Sequence, residues 1–327
     1  MRWNRKRLVN GAAGYESWFC RANHPSRPLA FWIRYTIFSP RGRPRDAIGE
    51  LWCVWFDGER RSVVAVKEEH PLGGCRFSSE GLDARIADAR LEHASIEGSA
   101  ARGAHAISWS LAYTSNEPPL LLLPEAMYEG GFPRAKALVP APLARFDGQL
   151  TIDGVREPID GWIGSQNHNW GSEHTARYAW GQVAGFEDAP DAFFEVSTAR
   201  VRVGPLLTPP FTPMVLRLDG EEHRLSSIVT SLRARGKYAP FAWSFSSRLD
   251  GVAIEGSFEA PSTSFVALPY GNPPGGEKTC LNSKLASCTL RVVRRDRAPL
   301  TLHTAHRGAF EILGDDPAPE GLAHLER

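Results

Sequence analysis

An excess of charge of either sign is the first thing this 327-residue sequence lacks. Its 38 Lys and Arg stand against 37 Asp and Glu, a formal charge of +1. No general field therefore draws the chain to nucleic acid or anionic lipid, and the run Arg41, Arg43, Arg45 reads as a solvated loop. Long apolar runs are missing too. The most conspicuous one, residues 120–123, is four leucines enclosed by Pro119 and Pro124, far short of the ~20 residues that span a bilayer. No transmembrane segment is expected, and only a transient membrane contact stays open. The basic start, Arg2 to Arg7, is followed by too few apolar residues for a signal peptide, so a cytoplasmic location is expected. Cysteine is scarce: five, odd in number, scattered and without Cys-x-x-Cys spacing, which fits reduced thiols and argues against a thiolate metal site. A Cys280–Cys288 bridge stays open for an exported protein.

Helical periodicity is sparse as well, and alternation takes its place. Ile107, Trp109, Leu111 and Tyr113 share one face against Ser108, Ser110, Ala112 and Thr114, the two-residue period of a half-buried strand. Residues 31–38 and 51–56 are apolar on both faces, as central strands covered on two sides are. Asp-Gly, the dipeptide of tight hairpins, occurs six times, at Asp57, Asp147, Asp153, Asp160, Asp219 and Asp250. Helix candidates are few and short: 82–91, 124–128 and the tail near Leu322. With 42% hydrophobic residues there is ample core material, and the length favours two domains. The expectation is an all-β, mostly antiparallel protein with domains 1–155 and 156–327. No repeat of 20 to 50 residues marks a propeller or solenoid.

Chemistry concentrates in residues 160–174, where two histidines, two tryptophans and several amides sit among glycines. His168 reads either as a core imidazole bonded to backbone or as a functional group. His168, Glu173 and His174 match no zinc spacing such as His-Glu-x-x-His, so no metal is expected. A Ser-His-Asp triad finds no Gly-x-Ser-x-Gly elbow. The tryptophans read as strand core or as walls of a ligand site, Trp109 among them.

Gly164-Ser165-Gln166-Asn167-His168-Asn169-Trp170-Gly171, followed by Tyr178-Ala179-Trp180-Gly181-Gln182, resembles the central motif of the lipocalin-like superfamily of carotenoid 1,2-hydratases, tocopherol cyclases and fungal Diels-Alderase-type pericyclases. Tyr15 to Phe19, Phe31-Trp32-Ile33-Arg34-Tyr35-Thr36 and Gly49-Glu50-Leu51-Trp52 are similar to its opening strands, so the resemblance runs from about residue 14 to 313. It implies two lipocalin-like (calycin) antiparallel β-barrel or half-barrel domains around an apolar pocket.

For the hydratase and cyclase branches the resemblance implies protonation of an isoprenoid double bond and capture of the cation. That chemistry needs a carboxylic acid kept neutral by apolar surroundings and aromatic faces to stabilise the cation. His168 and Trp170 match the His-x-Trp of the motif. Asn167 stands where hydratase-like members carry Asp, so the acid has to come from elsewhere. Glu195, between Phe194 and Val196 in an apparent strand, is the best replacement, with Glu173 and Asp160 behind it. The catalytic candidates are thus His168, Trp170 and Glu195, and the ligand-binding candidates Gln166, Asn167, Trp180 and Trp109. No cofactor is expected. The partner is a small lipophilic isoprenoid or polyketide-like substrate. A pericyclic reaction, which needs only a shaped pocket and hydrogen-bond donors, and a non-catalytic lipophile carrier remain the alternatives.

Overall fold

The computed structural model describes residues 2–325. Its strands form a 12-stranded sheet from Gly14 to Gly171 and an 11-stranded sheet from Arg177 to His324. Both repeat one topology. In the first, Gly14–Asn23 lies between Leu29–Ser39 and the last strand, Val155–Gly171. In the second, Arg177–Ala184 lies between Phe193–Arg200 and the last long strand, Leu300–Gly314. Each closing strand pairs with a long, bulged neighbour, Ala135–Ile152 and Glu277–Arg294 respectively.

Each sheet curls around its own apolar core. Trp18, Phe31, Tyr35, Trp55, Phe146 and Trp162 fill the first, and Phe194, Trp243, Phe258 and Phe310 fill the second. A third cluster, with Phe19, Trp32, Trp52, Trp180 and Tyr270, joins the outer faces of the two sheets. Leu29–Ser39 and Ile48–Asp57 are buried almost throughout because one face meets the first core and the other meets the second sheet, which is why both read as central strands. The all-β, antiparallel lipocalin-like expectation holds.

The crossing between sheets falls between Gly171 and Arg177 rather than near residue 155. Asp153 and Gly154, both at positive φ, make a tight turn inside the first sheet. Asp219-Gly220 and Asp250-Gly251 turn in the same way. Asp147-Gly148 and Asp160-Gly161 instead lie inside long strands, where the Asp147 carboxylate accepts from Gly161 N at 2.8 Å across a bulge. Residues 82–91 form a hairpin rather than a helix, whereas Glu125–Tyr128 is one helical turn. The α-helix Ile228–Arg233, capped by Ser227, was not foreseen. Leu120–Leu121 pairs with Val139 and Leu138, and Leu120 and Leu122 pack with Ala184, Phe193 and Val215 between the sheets. All five cysteines are free. Cys280 and Cys288 stand eight residues apart on one extended strand, too far to bond at ~3.3 Å per residue.

Candidate functional site

Between the sheets lies an open-mouthed cavity lined by residues of both. Strand alternation decides what faces it. On Phe193–Arg200, Phe194 and Val196 enter the second core, so Glu195 and Ser197 turn toward the cavity. On Arg177–Ala184, Ala179 and Val183 take the core side, and Tyr178 and Trp180 take the cavity side. The first sheet contributes Phe19, Trp32 and Arg34, and Leu122 and Leu123 wall another side.

Glu195 is the chemically poised group. Its Oε1 accepts from Trp180 Nε1 at 2.8 Å, and its Oε2 has no protein partner. Burial pushes its carboxyl up to about 7, against the Trp180 hydrogen bond and the charge of Arg21, which both favour the anion. Near neutrality it can donate a proton into a space lined by aromatic faces. Lys284 lies 5.6 Å from the Trp32 ring and 5.8 Å from the Trp180 ring; burial lowers its pKa while Glu311, 2.8 Å away, holds the charge. His174 is pushed down to about 3 by burial and by Arg34 and Lys278, and this neutral ring stacks on Tyr15 at 4.0 Å.

Asn167 lies at the cavity wall, yet its amide is committed to joining the sheets. Its Nδ2 donates to Ser165 Oγ at 2.8 Å, and its Oδ1 accepts from Gln182 Nε2 at 2.9 Å. Gln182 Oε1 in turn accepts from Ser165 Oγ at 2.6 Å and Arg21 Nε at 2.9 Å.

The neighbouring positions on Val155–Gly171 face the other way. His168 borders the cavity, but its ring stacks on Trp18 of the first core at 4.9 Å. Its Nδ1 lies 2.6 Å from Trp3 O and its Nε2 lies 2.8 Å from Glu16 Oε1. Both ring nitrogens are thereby engaged, one by the N-terminal segment and one by Glu16. Glu16 also accepts from Arg7 N and Leu8 N. Gln166 accepts from Asn4 Nδ2 at 2.7 Å, and Trp170 carries the Arg7 guanidinium 5.3 Å from its ring centre. These three residues clasp the N-terminal segment over the first sheet. Trp109 is buried in the first core.

Of the sequence candidates, the cavity therefore gathers Glu195, Trp180 and Asn167; His168 borders it with both ring nitrogens engaged elsewhere, and Trp170, Gln166 and Trp109 lie outside its lining. Glu173, exposed in part, pairs with Arg134 at 3.0 Å. Trp32, Arg34 and Tyr270 were missed as cavity residues. The signal was present for Arg34, the one charged residue in the apolar strand Leu29–Ser39.

No family model matches the sequence, and no curated protein matches it. Solved structures do. An AttH candidate from Nitrosomonas europaea superposes with a TM-score of 0.59 at 12% identity, covering 94% of each chain. Kievitone hydratase from Nectria haematococca gives 0.55 at 11% identity, over 93% of this chain and 89% of that one. CghA with Sch210972 gives 0.55 at 12% identity, over 92% and 88%. At such identities the likeness is one of fold. The chain shares the two-sheet fold of these three structures.

Proposed function

We propose that this protein is an enzyme that protonates a carbon–carbon double bond of a lipophilic isoprenoid or polyketide-like molecule in the cavity between its sheets. Glu195 supports the reading most strongly: a buried carboxyl at about 7 with one oxygen unpartnered on an aromatic wall. The Oε2 proton adds to one alkene carbon, and the carboxylate left behind keeps its Trp180 hydrogen bond. Water or a substrate hydroxyl attacks the carbocation and returns a proton to Glu195, giving hydration in the first case and cyclisation in the second. Trp180, Trp32 and Phe19 present rings to the developing cation. His168 takes no part, because both its nitrogens are engaged away from the cavity. A hydratase name among the structural neighbours agrees with this reading.

The test uses the lipophile that native mass spectrometry finds on the purified protein, returned to stripped protein in D2O. Protonation at carbon fixes deuterium in the product, and Glu195→Gln abolishes it. A product without carbon-bound deuterium would point to the pericyclic reading, and an unchanged lipophile to a carrier.

A further inference from the structure

The same cavity has a second polar end, and its groups are all short of acceptors. Arg34 is 4% exposed, and its one side-chain hydrogen bond runs from Nη2 to Ser17 Oγ at 2.7 Å. Among the described residues no carboxylate lies within ion-pair distance of it. The acidic groups whose fields reach it are committed elsewhere, Glu50 to Lys67 and Glu311 to Lys284, each at 2.8 Å. Its Nε has no partner. The guanidinium lies 4.5 Å from the Tyr270 ring centre and 5.8 Å from that of Trp32. Both neighbours line the cavity and both are buried; Trp32 Nε1 lacks a protein partner, and the Tyr270 hydroxyl has only the weak thiol of Cys280 beside it.

A buried cation whose nearest carboxylates are held by lysines, beside an indole donor with no acceptor, is costly unless something supplies the acceptor. Arginine and indole N–H groups can only donate, so what they lack is an anion. Glu311, which also lines the cavity, is already held by Lys284 at 2.8 Å and is not free to pair with Arg34. We infer that Arg34, Tyr270 and Trp32 bind the carboxylate of the substrate, which makes the substrate class a lipophilic acid rather than a neutral hydrocarbon. This rests on the cavity being the substrate site proposed above. The aromatic wall connects the two ends: Lys284 sits near both the Trp32 and Trp180 rings, and Trp180 holds Glu195. A carboxylate at Arg34 thus leaves the apolar body of the molecule along that wall toward the acid.

The test is displacement of the neutral fluorophore N-phenyl-1-naphthylamine by decanoate and by decanol at pH 7.5. A merely apolar pocket favours the alcohol, whose head group is cheaper to desolvate. The expected result is at least tenfold preference for decanoate in the wild type, loss of that preference in Arg34→Met, and a fall of threefold or more in Tyr270→Phe, which removes a single oxygen and decides the matter should Arg34→Met fail to fold. Preference for decanol, displacement by neither compound, or an acid preference unchanged in both variants would overturn the inference. Glu195→Gln keeps the decanoate preference while losing deuterium transfer, so failure of this inference and failure of the protonation reading are read separately.

Discussion

Replacing His168 by alanine separates a structural clasp from a catalytic group. The substitution removes two hydrogen bonds, with Trp3 O and Glu16 Oε1, and a ring lying 4.9 Å from Trp18 and 4.7 Å from Trp170. Leaving a buried carboxyl without its side-chain partner costs at most what breaking a buried ion pair does, about 3 to 5 kcal/mol. The lower end applies here, because Glu16 keeps the backbone N–H groups of Arg7 and Leu8. Urea unfolding followed by tryptophan fluorescence should show a loss of about 3 kcal/mol. Hydrogen exchange should show protection lost first in residues 3–8, whose anchors are Glu16, His168 and Gln166. Affinity for N-phenyl-1-naphthylamine should stay within about threefold of the wild type, since His168 only borders the cavity and both its ring nitrogens are engaged by Trp3 and Glu16 outside the lining. A variant of native stability that no longer bound the fluorophore would refute this and return His168 to the site.

Two further outcomes follow from the geometry. Glu195 is neutral in the fold up to about pH 7 but ionises near 4.5 when unfolded. Its contribution is therefore intact below 4.5 and is lost as pH rises to 7, by about 3 kcal/mol in all. Glu195→Gln should overtake the wild type in stability across that window, and urea midpoints that run parallel from pH 5 to 8 would contradict it. Leu122 packs between the sheets and also walls the cavity, so Leu122→Ala should cost about 2 to 4 kcal/mol and weaken fluorophore binding together. Loss of binding with no loss of stability in the same urea and fluorophore assays would instead make residues 117–142 a lid.

The fold was legible because its signals are local. Alternation at residues 107–114 and the doubly apolar strands 31–38 and 51–56 record which faces are covered. Glu195 stood out by the same logic, as a carboxylate inside an apolar strand. What the sequence concealed was facing. His168, Asn167 and Gln166 are adjacent, yet successive side chains of a strand point to opposite sides, so one short motif serves both the N-terminal clasp and the seam between sheets. Which side holds the cavity depends on the second sheet, whose contact with the first comes from residues far away in sequence, such as Gln182 and Lys284. Arg34 was read as part of a buried central strand and of a resemblance to opening strands, with no role of its own, and its lack of a paired carboxylate shows only once Glu50 and Glu311 are seen paired with lysines. The change of sheet between Gly171 and Arg177 was not legible, because the long strand Val155–Gly171 that closes the first sheet reads in sequence like the start of a second series of strands.

The central claim is that the cavity holds a neutral carboxylic acid at Glu195. Infrared difference spectra between wild type and Glu195→Gln, recorded as a pH titration, test it most directly. The account predicts a protonated-carboxyl carbonyl band, present in the wild type alone, that disappears with a midpoint near pH 7. A wild-type spectrum already showing the carboxylate at pH 5 would contradict it.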